Sequence, residues 1–183
     1  YFKDALGSNE PFRLRYGRMT IDEGDRMLVH RNAFANATNS FEGFRMTLGE
    51  PTSLWEFDTI FVQPVNRRLR QFNHADEDRW LYGMVFDWRG WSPWLILEPF
   101  YYILDEDHQR YKGTNPNDRE IHTMGLRTYG VMKCGFDYDS DVMFQWGEDG
   151  QRDQKAFAFH NETGYTFQHD WKPRIALCTA YAT

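Results

Sequence analysis

The sequence predicts an all-β protein, an antiparallel up-and-down β-barrel of the kind that crosses a membrane. Segments of about ten residues alternate apolar and polar side chains, which is the length and pattern of an outer-membrane barrel strand. The connections between these segments alternate long and short, as expected when tight turns lie on one side of a membrane and long loops on the other. We therefore expect about nine transmembrane strands that form part of a larger barrel.

Length and composition agree with this fold class. The chain has 183 residues, a net charge of -6 and 17% aromatic residues. This length predicts a single segment over residues 1–183 with no separate second domain. Aromatic residues favour strands and form belts at membrane interfaces. The negative charge argues against a nucleic-acid partner, and two cysteines, Cys134 and Cys178, give no disulfide framework.

Period-two alternation locates the individual strands. We predict them at residues 12–19, 41–48, 54–65, 79–88, 94–104, 121–133, 136–146, 155–167 and 173–182. The clearest pair is 121–133 and 136–146, which are joined only by Cys134-Gly135. No segment shows a helical period with caps, although residues 22–36 could hold a helical turn.

The connections indicate the direction in which the strands run. We predict turns at residues 49–53, 89–91, 134–135 and 168–172, and longer loops at 20–40, 66–78, 105–120 and 147–154. Short turns are periplasmic and long loops extracellular in such barrels, so the longer loops are expected outside the cell. The first residue and the last strand are both expected to be cuts within a larger barrel.

Charged side chains fall on one face of the predicted strands. The residues expected to face the lumen and contact solute are Arg13, Arg15, Arg45, Glu56, Asp58, Glu98, Arg127, Asp137, Asp139, Asp141, Glu162 and Arg174. The opposite face is apolar, as at Leu14, Phe61 and Leu126, and there a Lys or Arg would cost about 2–4 kcal/mol at the membrane midplane. Glu42 is the exception, for which we expect either a strand end or a β-bulge.

An ordered series of short motifs resembles a known family. The motifs are Arg13-Leu-Arg15-Tyr-Gly17-Arg18, Ser40-Phe41-Glu42-Gly43-Phe44-Arg45, Trp55-Glu-Phe-Asp58 with Phe61 and Pro64-Val65, Tyr82-Gly83, His122-Thr123-Met124-Gly125-Leu126-Arg127, Phe136-Asp137-Tyr138-Asp139 and Gly164-Tyr165-Thr166-Phe167. Taken in this order, they resemble the alginate-export family of bacterial outer-membrane β-barrel proteins.

The resemblance implies a monomeric barrel of roughly eighteen strands that passes an anionic polysaccharide out of the cell. It implies an arginine-rich lumen, to which Arg13, Arg15, Arg45, Arg127 and Arg174 would belong together with the acids Asp58 and Asp137. The further acids on the same predicted face are Glu56, Asp87, Glu98, Asp139, Asp141 and Glu162. They make the expected lumen one of mixed charge.

We therefore predict an outer-membrane channel or porin, not an enzyme, that exports or passes an anionic polysaccharide or another charged solute. Such a pore needs weak binding at many sites and no cofactor. The expected partners are outer-membrane lipid, lipopolysaccharide, the solute, and a periplasmic or other membrane protein that the sequence does not identify. Arg67-Arg68-x-Arg70 is either a solvated loop face or a contact for lipopolysaccharide phosphates.

Three alternatives remain at this stage. The first is a general small-solute porin on the same barrel, and the second is a soluble all-β carbohydrate-binding domain with a core between two sheets. The third is a lyase or glycosidase that uses Glu56 and Asp58, which lie about 7 Å apart on one face of a strand. Spacing alone does not make a catalytic pair.

One motif imitates a metal site. Asp137-x-Asp139-x-Asp141 with Glu148 has the acid spacing of an EF-hand loop, but position six carries Val142 where glycine is needed. The alternation with aromatic residues favours an extended strand instead. The six histidines show no metal-ligand spacing, so no metal site is expected.

Overall fold

The computed structural model describes residues 2–3, 10–32, 38–66, 72–109 and 117–183. The strands are β1 (Phe2–Lys3), β2 (Pro11–Met19), β3 (Phe41–Gly49), β4 (Trp55–Asn66), β5 (His74–Ala75), β6 (Arg79–Ser92), β7 (Leu95–Gln109), β8 (Asn117–Val131), β9 (Phe136–Asp149), β10 (Arg152–Thr166) and β11 (Arg174–Ala182). Within these described ranges there is no helix that could cross a membrane.

The strands form one open antiparallel sheet in the order in which they occur along the chain. Ten of them follow one another from β1 to β11, and β5 pairs with β4 beside this path. The predicted all-β, up-and-down meander is therefore confirmed, and an open sheet of this kind is part of a barrel. The soluble alternative predicted two packed sheets, whereas the described residues form a single one.

All nine predicted strands are present, but several boundaries differ. β6 continues through the predicted turn at 89–91 as far as Ser92, and the turn lies at Pro93-Trp94. The β6–β7 register shifts within this stretch. A Cβ atom on Gly90 would lie 2.7 Å from the Trp88 ring, so this glycine makes room for an indole inside an irregular strand and does not form a turn.

Two predicted loops are shorter in the structure. The connection expected at 147–154 is a tight turn at Gly150-Gln151, where Gly150 has a φ of 64°. The alternation of long and short connections therefore fails at this position. The loop expected at 105–120 is reduced to 110–116, which lies outside the described residues.

The register places every charged residue predicted to face the lumen on one face of the sheet. Residues directly opposite each other in a register share a face. Arg15 lies opposite Arg45, Asp58 opposite Thr47, and Glu98 opposite Arg127, and the same relation continues as far as β11. We call this the inner face, because it also bears the buried residues.

The opposite, outer face is apolar and exposed. Its exposed large side chains include Leu14, Phe44, Phe61, Met84, Met124, Leu126, Phe144, Ile175 and Leu177. Aromatic rings pair with one another on this face: Phe61 and Trp80 lie 4.7 Å apart, and Phe86 and Trp88 lie 6.4 Å apart. The first pair is nearer the end of the sheet at which β2 leads into residues 20–40, which we call the loop end. The second pair is nearer the opposite end, where the turn at Pro93-Trp94 lies, which we call the turn end.

Glu42 is on the outer face, where the sequence identified an exception. It is the second residue of β3, and its Oε2 atom accepts a hydrogen bond from Arg18 Nη2 at 2.9 Å. The register between β2 and β3 is continuous, so the strand-end explanation is correct and the bulge explanation is wrong. An outward-facing charge is thus paired at the margin of the sheet.

Residues 21–29, between β2 and β3, fold back against the inner face. We call them the inward loop. Ile21 and Val29 are 0% and 4% exposed. They pack in a core with Phe41, Ile60, Val62, Val85, Phe100, Tyr102 and Met143. Part of the loop predicted at 20–40 therefore lies against the sheet, because the inner face near the loop end is apolar and gains from being covered. The described residues form a turn at Glu23–Arg26 and no helix.

Candidate functional site

A continuous row of charged side chains crosses the inner face near the turn end. We call it the charge belt. Its members are Arg13, Glu56, Asp87, Arg89, Glu98, Arg127, Asp137, Asp139, Glu162 and Arg174. Period-two alternation on each strand places these residues on one face, and the antiparallel register sets them at a similar height.

At the β2 side of the belt, two arginines share one carboxylate. Arg13 Nη2 lies 3.5 Å from Glu56 Oε1, and Arg89 Nη2 lies 3.3 Å from Glu56 Oε2. Arg89 also pairs with Asp87 at 2.9 Å. Sequence reasoning missed Arg89 because it placed this residue in a turn. Glu56 is thus paired with an arginine at each of its two carboxylate oxygens.

Arg45 links the wall of the sheet to the inward loop. Its Nη2 atom donates to Asp58 Oδ2 at 2.8 Å and lies 2.7 Å from Glu23 Oε1. Thr47 Oγ1 also donates to Asp58 at 2.8 Å, and Asp58 is 6% exposed. Burial, and next the charge of Asp58, raise the pKa of Glu23 to about 8, although Arg45 opposes the shift. This carboxyl group therefore titrates above neutral pH.

Arg127 occupies the middle of the belt. Its Nε atom donates to Asp139 Oδ1 at 2.8 Å, and its Nη1 atom lies 3.4 Å from Glu98 Oε2. Its guanidinium carbon lies 4.4 Å from the centre of the Tyr129 ring. One face of the Tyr129 ring is therefore covered by a cation–π contact.

At the far side, Arg174 of β11 reaches across β10 to Asp137 of β9. Its Nε atom donates to Asp137 at 3.1 Å, and its Nη2 atom lies 2.8 Å from Glu162. A Cβ atom on Gly164 would lie 2.6 Å from the Arg174 guanidinium carbon. The absence of a side chain at Gly164 is therefore what allows the arginine to lie across its neighbour strand.

Arg15 differs from the belt arginines. It lies on the inner face opposite Arg45 and is exposed. Among the residues that the structure describes, none is hydrogen bonded or ion paired to its guanidinium, so its donors remain available to an anion.

A second charged group lies near the loop end. Glu106 is 2% exposed and lies between Arg79 Nε, at 2.6 Å from its Oε1 atom, and Arg119 Nε, at 2.6 Å from its Oε2 atom. The loop predicted at 105–120 does not begin at residue 105, because residues 105–107 lie in β7 and Glu106 has two cationic partners. Each of those partners is on a neighbouring strand, so local sequence could not reveal it.

The remaining predicted features are placed as follows. Asp137, Asp139 and Asp141 lie in the extended strand β9, as expected, and Asp141, opposite Arg127 in the register, lies under the inward loop. Both cysteines are free and exposed. The Arg67-Arg68-x-Arg70 cluster lies outside the described residues.

An antiparallel meander with an exposed apolar face and a charged opposite face is the wall of an outer-membrane β-barrel, a class of protein that conducts solutes. A family model described as "Alginate export" matches residues 1–183. The chain therefore belongs to the alginate export family, as the motifs indicated. This is a family of outer-membrane transport channels rather than of enzymes. No curated protein and no solved structure matches the chain.

Proposed function

We propose that this chain forms part of the wall of an outer-membrane channel and that the charge belt contacts the solute. The solute is an anionic polysaccharide or another charged molecule. The observation that carries the proposal is the belt itself, which runs from β2 to β11 on the face opposite the apolar one. Membership of a transport family supports it.

The pairing within the belt explains how solute could move. A guanidinium binds a carboxylate strongly in bidentate geometry, so a row of free arginines would retain a polyanion. Here Arg13, Arg89, Arg127 and Arg174 are already paired with acids, so a passing carboxylate must compete for them. Weak binding that is repeated along a path allows entry and release.

Arg15 is the first contact that we propose for an anion. Its guanidinium is exposed on the inner face, and Arg13, two residues earlier, keeps 29% of its side chain exposed. An anion at Arg15 would displace no described acid. This arginine therefore attracts anions at lower cost than Arg127, whose side chain is 13% exposed and is held by two carboxylates.

A general porin for small charged solutes is a second candidate. The observation that favours it is the composition of the belt, in which acids outnumber arginines. Such a lumen would show little preference for anions, and it would also admit cations. The two candidates share the same wall and differ in the solute that interacts with it.

Electrical recording in planar bilayers tests the proposal on the protein that contains this chain. We expect ion conduction, and we expect partial block by a polyuronate but not by a neutral glucan of equal length. Arg15→Gln should weaken both the block and the anion preference measured by reversal potential. Arg18→Gln, an equivalent change on the outer face, is the control and should alter neither.

Each result separates the candidates. Absence of conduction from correctly folded protein would exclude a channel. Conduction with equal effects of polyuronate and neutral glucan would exclude the polysaccharide and leave the small-solute porin. Wild-type behaviour of Arg15→Gln would remove the role of this residue while leaving the channel in place.

The proposed location is the bacterial outer membrane, with lipid and lipopolysaccharide around the outer face. Exposed apolar side chains such as Met124, 57% exposed, and Phe144, 54% exposed, favour hydrocarbon over water. Fractionation of cells should recover the protein in the outer membrane and release it only with detergent. Recovery of a monomer in plain buffer would contradict this location.

A further inference from the structure

Three side chains outside the charge belt meet beneath the inward loop. Asp25 belongs to that loop, Asp141 to β9 and His160 to β10. One donor atom from each lies within 4.8 Å of the donor atoms of the other two. The three residues are far apart in sequence, and only the inward fold of residues 21–29 brings Asp25 to the wall.

Two of the donor atoms are buried without a hydrogen-bond partner. Asp141 is 2% exposed, and neither its Oδ2 atom nor His160 Nδ1 has a hydrogen-bond partner in the described structure. These two atoms face each other at 3.8 Å, which is too long for a hydrogen bond. An unsatisfied buried polar atom costs about 1–3 kcal/mol, and more when it is charged, so a group that binds both atoms is expected between them.

The gap has the dimensions of a metal site. Two ligands bound at 2.0–2.2 Å to one tetrahedral ion lie about 3.4 Å apart, close to the observed separation. A cavity of about 10 Å³ next to this gap is lined by Asp25, Asp141 and Glu98, whereas His160 lies outside its lining. That volume is enough for about one ion or water molecule.

A neighbouring thiol orients the histidine for binding. His160 Nε2 lies 3.4 Å from Cys178 Sγ on β11. A hydrogen on Nε2 that is donated to sulfur leaves the lone pair on Nδ1 directed toward Asp141. Such a contact from outside the ligand set is the usual way in which a metal-binding imidazole is held in one tautomer.

We propose that Asp25, Asp141 and His160 bind one divalent transition-metal ion, with Zn²⁺ as the best match. Imidazole with carboxylates suits Zn²⁺ better than Ca²⁺ or Mg²⁺, which prefer sites made wholly of oxygen. The ion neutralises two adjacent carboxylates and tethers the inward loop to β9 and β10. Bound metal thereby fixes how far the loop extends over the inner face, whatever solute the channel carries.

Calorimetric titration of Zn²⁺ into the whole protein in detergent, without a polyhistidine tag, tests the site. We expect one saturable site, with binding weakened at least tenfold by Asp141→Asn and by His160→Gln. Ca²⁺ and Mg²⁺ should bind more weakly than Zn²⁺. His169→Gln is the matched control in an exposed turn, and it should leave the affinity unchanged. Absence of saturable binding, or wild-type affinity in both site variants, would overturn the proposal.

Hydrogen exchange tests the tether separately. Zn²⁺ should slow amide exchange across residues 21–29 in the wild type and have no such effect in Asp25→Asn. This variant alters only the loop ligand, so it remains informative if a strand substitution prevents folding. Saturable Zn²⁺ binding without slower exchange in the loop would overturn the tether. Neither measurement depends on transport, so failure here is distinct from failure of the proposed channel.

Discussion

The two halves of the inner face differ in how far their side chains are exposed to water. Toward the turn end, charged side chains remain partly exposed and pair across strands; Arg174 and Glu162, for example, each keep 39% of the side chain exposed. Toward the loop end, apolar side chains are covered by the inward loop, and Val62 is 0% exposed. The comparison separates a half that presents paired charges to water from a half whose apolar surface is covered by the inward loop.

The largest expected effect comes from the covered half. Phe100→Ala should lower the free energy of unfolding by about 3–5 kcal/mol, because it leaves a cavity beside Tyr102, whose ring centre lies 5.7 Å away. It should also speed hydrogen exchange in residues 21–29. Urea unfolding in lipid vesicles measures the first effect. Phe144→Ala, on the exposed outer face, is the control, and an equal loss there would contradict the proposed core.

In the belt, removal of one arginine should affect the wall without releasing the loop. Arg127→Gln leaves Glu98, 5% exposed, without its cation and should cost about 2–3 kcal/mol, because Asp139 retains some contact with water. Exchange in residues 21–29 should speed up less than in Phe100→Ala, because only Glu98 of this group lies beside the loop, next to Gly24. Adding Glu98→Gln should recover part of the loss. Loop exchange as fast as in Phe100→Ala would show that the two halves are strongly coupled.

At the boundary between the halves, stability should depend on pH through Glu23. The pKa of Glu23 is raised from 4.5 to about 8 in the folded protein. The stabilisation of the folded state by the proton on Glu23 is therefore complete below pH 4.5 and is lost as the pH rises through 8. Between pH 7 and pH 9 this loss amounts to about 1.4 kcal/mol. The charged groups facing Glu23 are Arg45, Asp58, Glu56 and Asp87.

The neutral variant Glu23→Gln isolates this effect. It retains the shape of the protonated side chain, so its free energy of unfolding should fall less than that of the wild type between pH 7 and pH 9. The difference between the two proteins, measured by urea unfolding at each pH, removes the contribution of other groups. Parallel pH profiles would show that Glu23 is already ionised at neutral pH.

The smallest effect is expected outside both halves. The outer-face pair of Arg18 and Glu42 is 45% and 43% exposed, so Arg18→Gln should cost at most about 1 kcal/mol and less in high salt. Comparison of unfolding in low and high salt measures it. A loss as large as that of Arg127→Gln would mean that an ion pair on the inner face stabilises the protein no more than an exposed pair does.

The strands and their faces could be predicted because they depend on local alternation. Asp137, Asp139 and Asp141 were assigned to one face from period two alone, and the register agrees. Turn positions were harder to predict, because glycine occurs both in turns and within strands. Gly90 accommodates an indole in a strand, whereas Gly150 forms a turn.

The inward loop could not be predicted from its own residues, since the apolar positions in it are scattered. The available signal lay elsewhere, at Ile60, Val62, Val85 and Phe100, which are apolar on the face predicted to be polar. Contacts such as Arg79 with Glu106, or Asp25 with Asp141, join distant parts of the chain. Nothing local to either partner indicates them.

The sequential strand order also has a consequence for folding. Each hairpin can close over a short stretch of chain, so the wall can grow strand by strand at low entropic cost. The surface that receives Ile21 and Val29 is different, because it includes Met143 and is complete only when β9 is present. The inward loop therefore docks late, after β9 has joined the sheet.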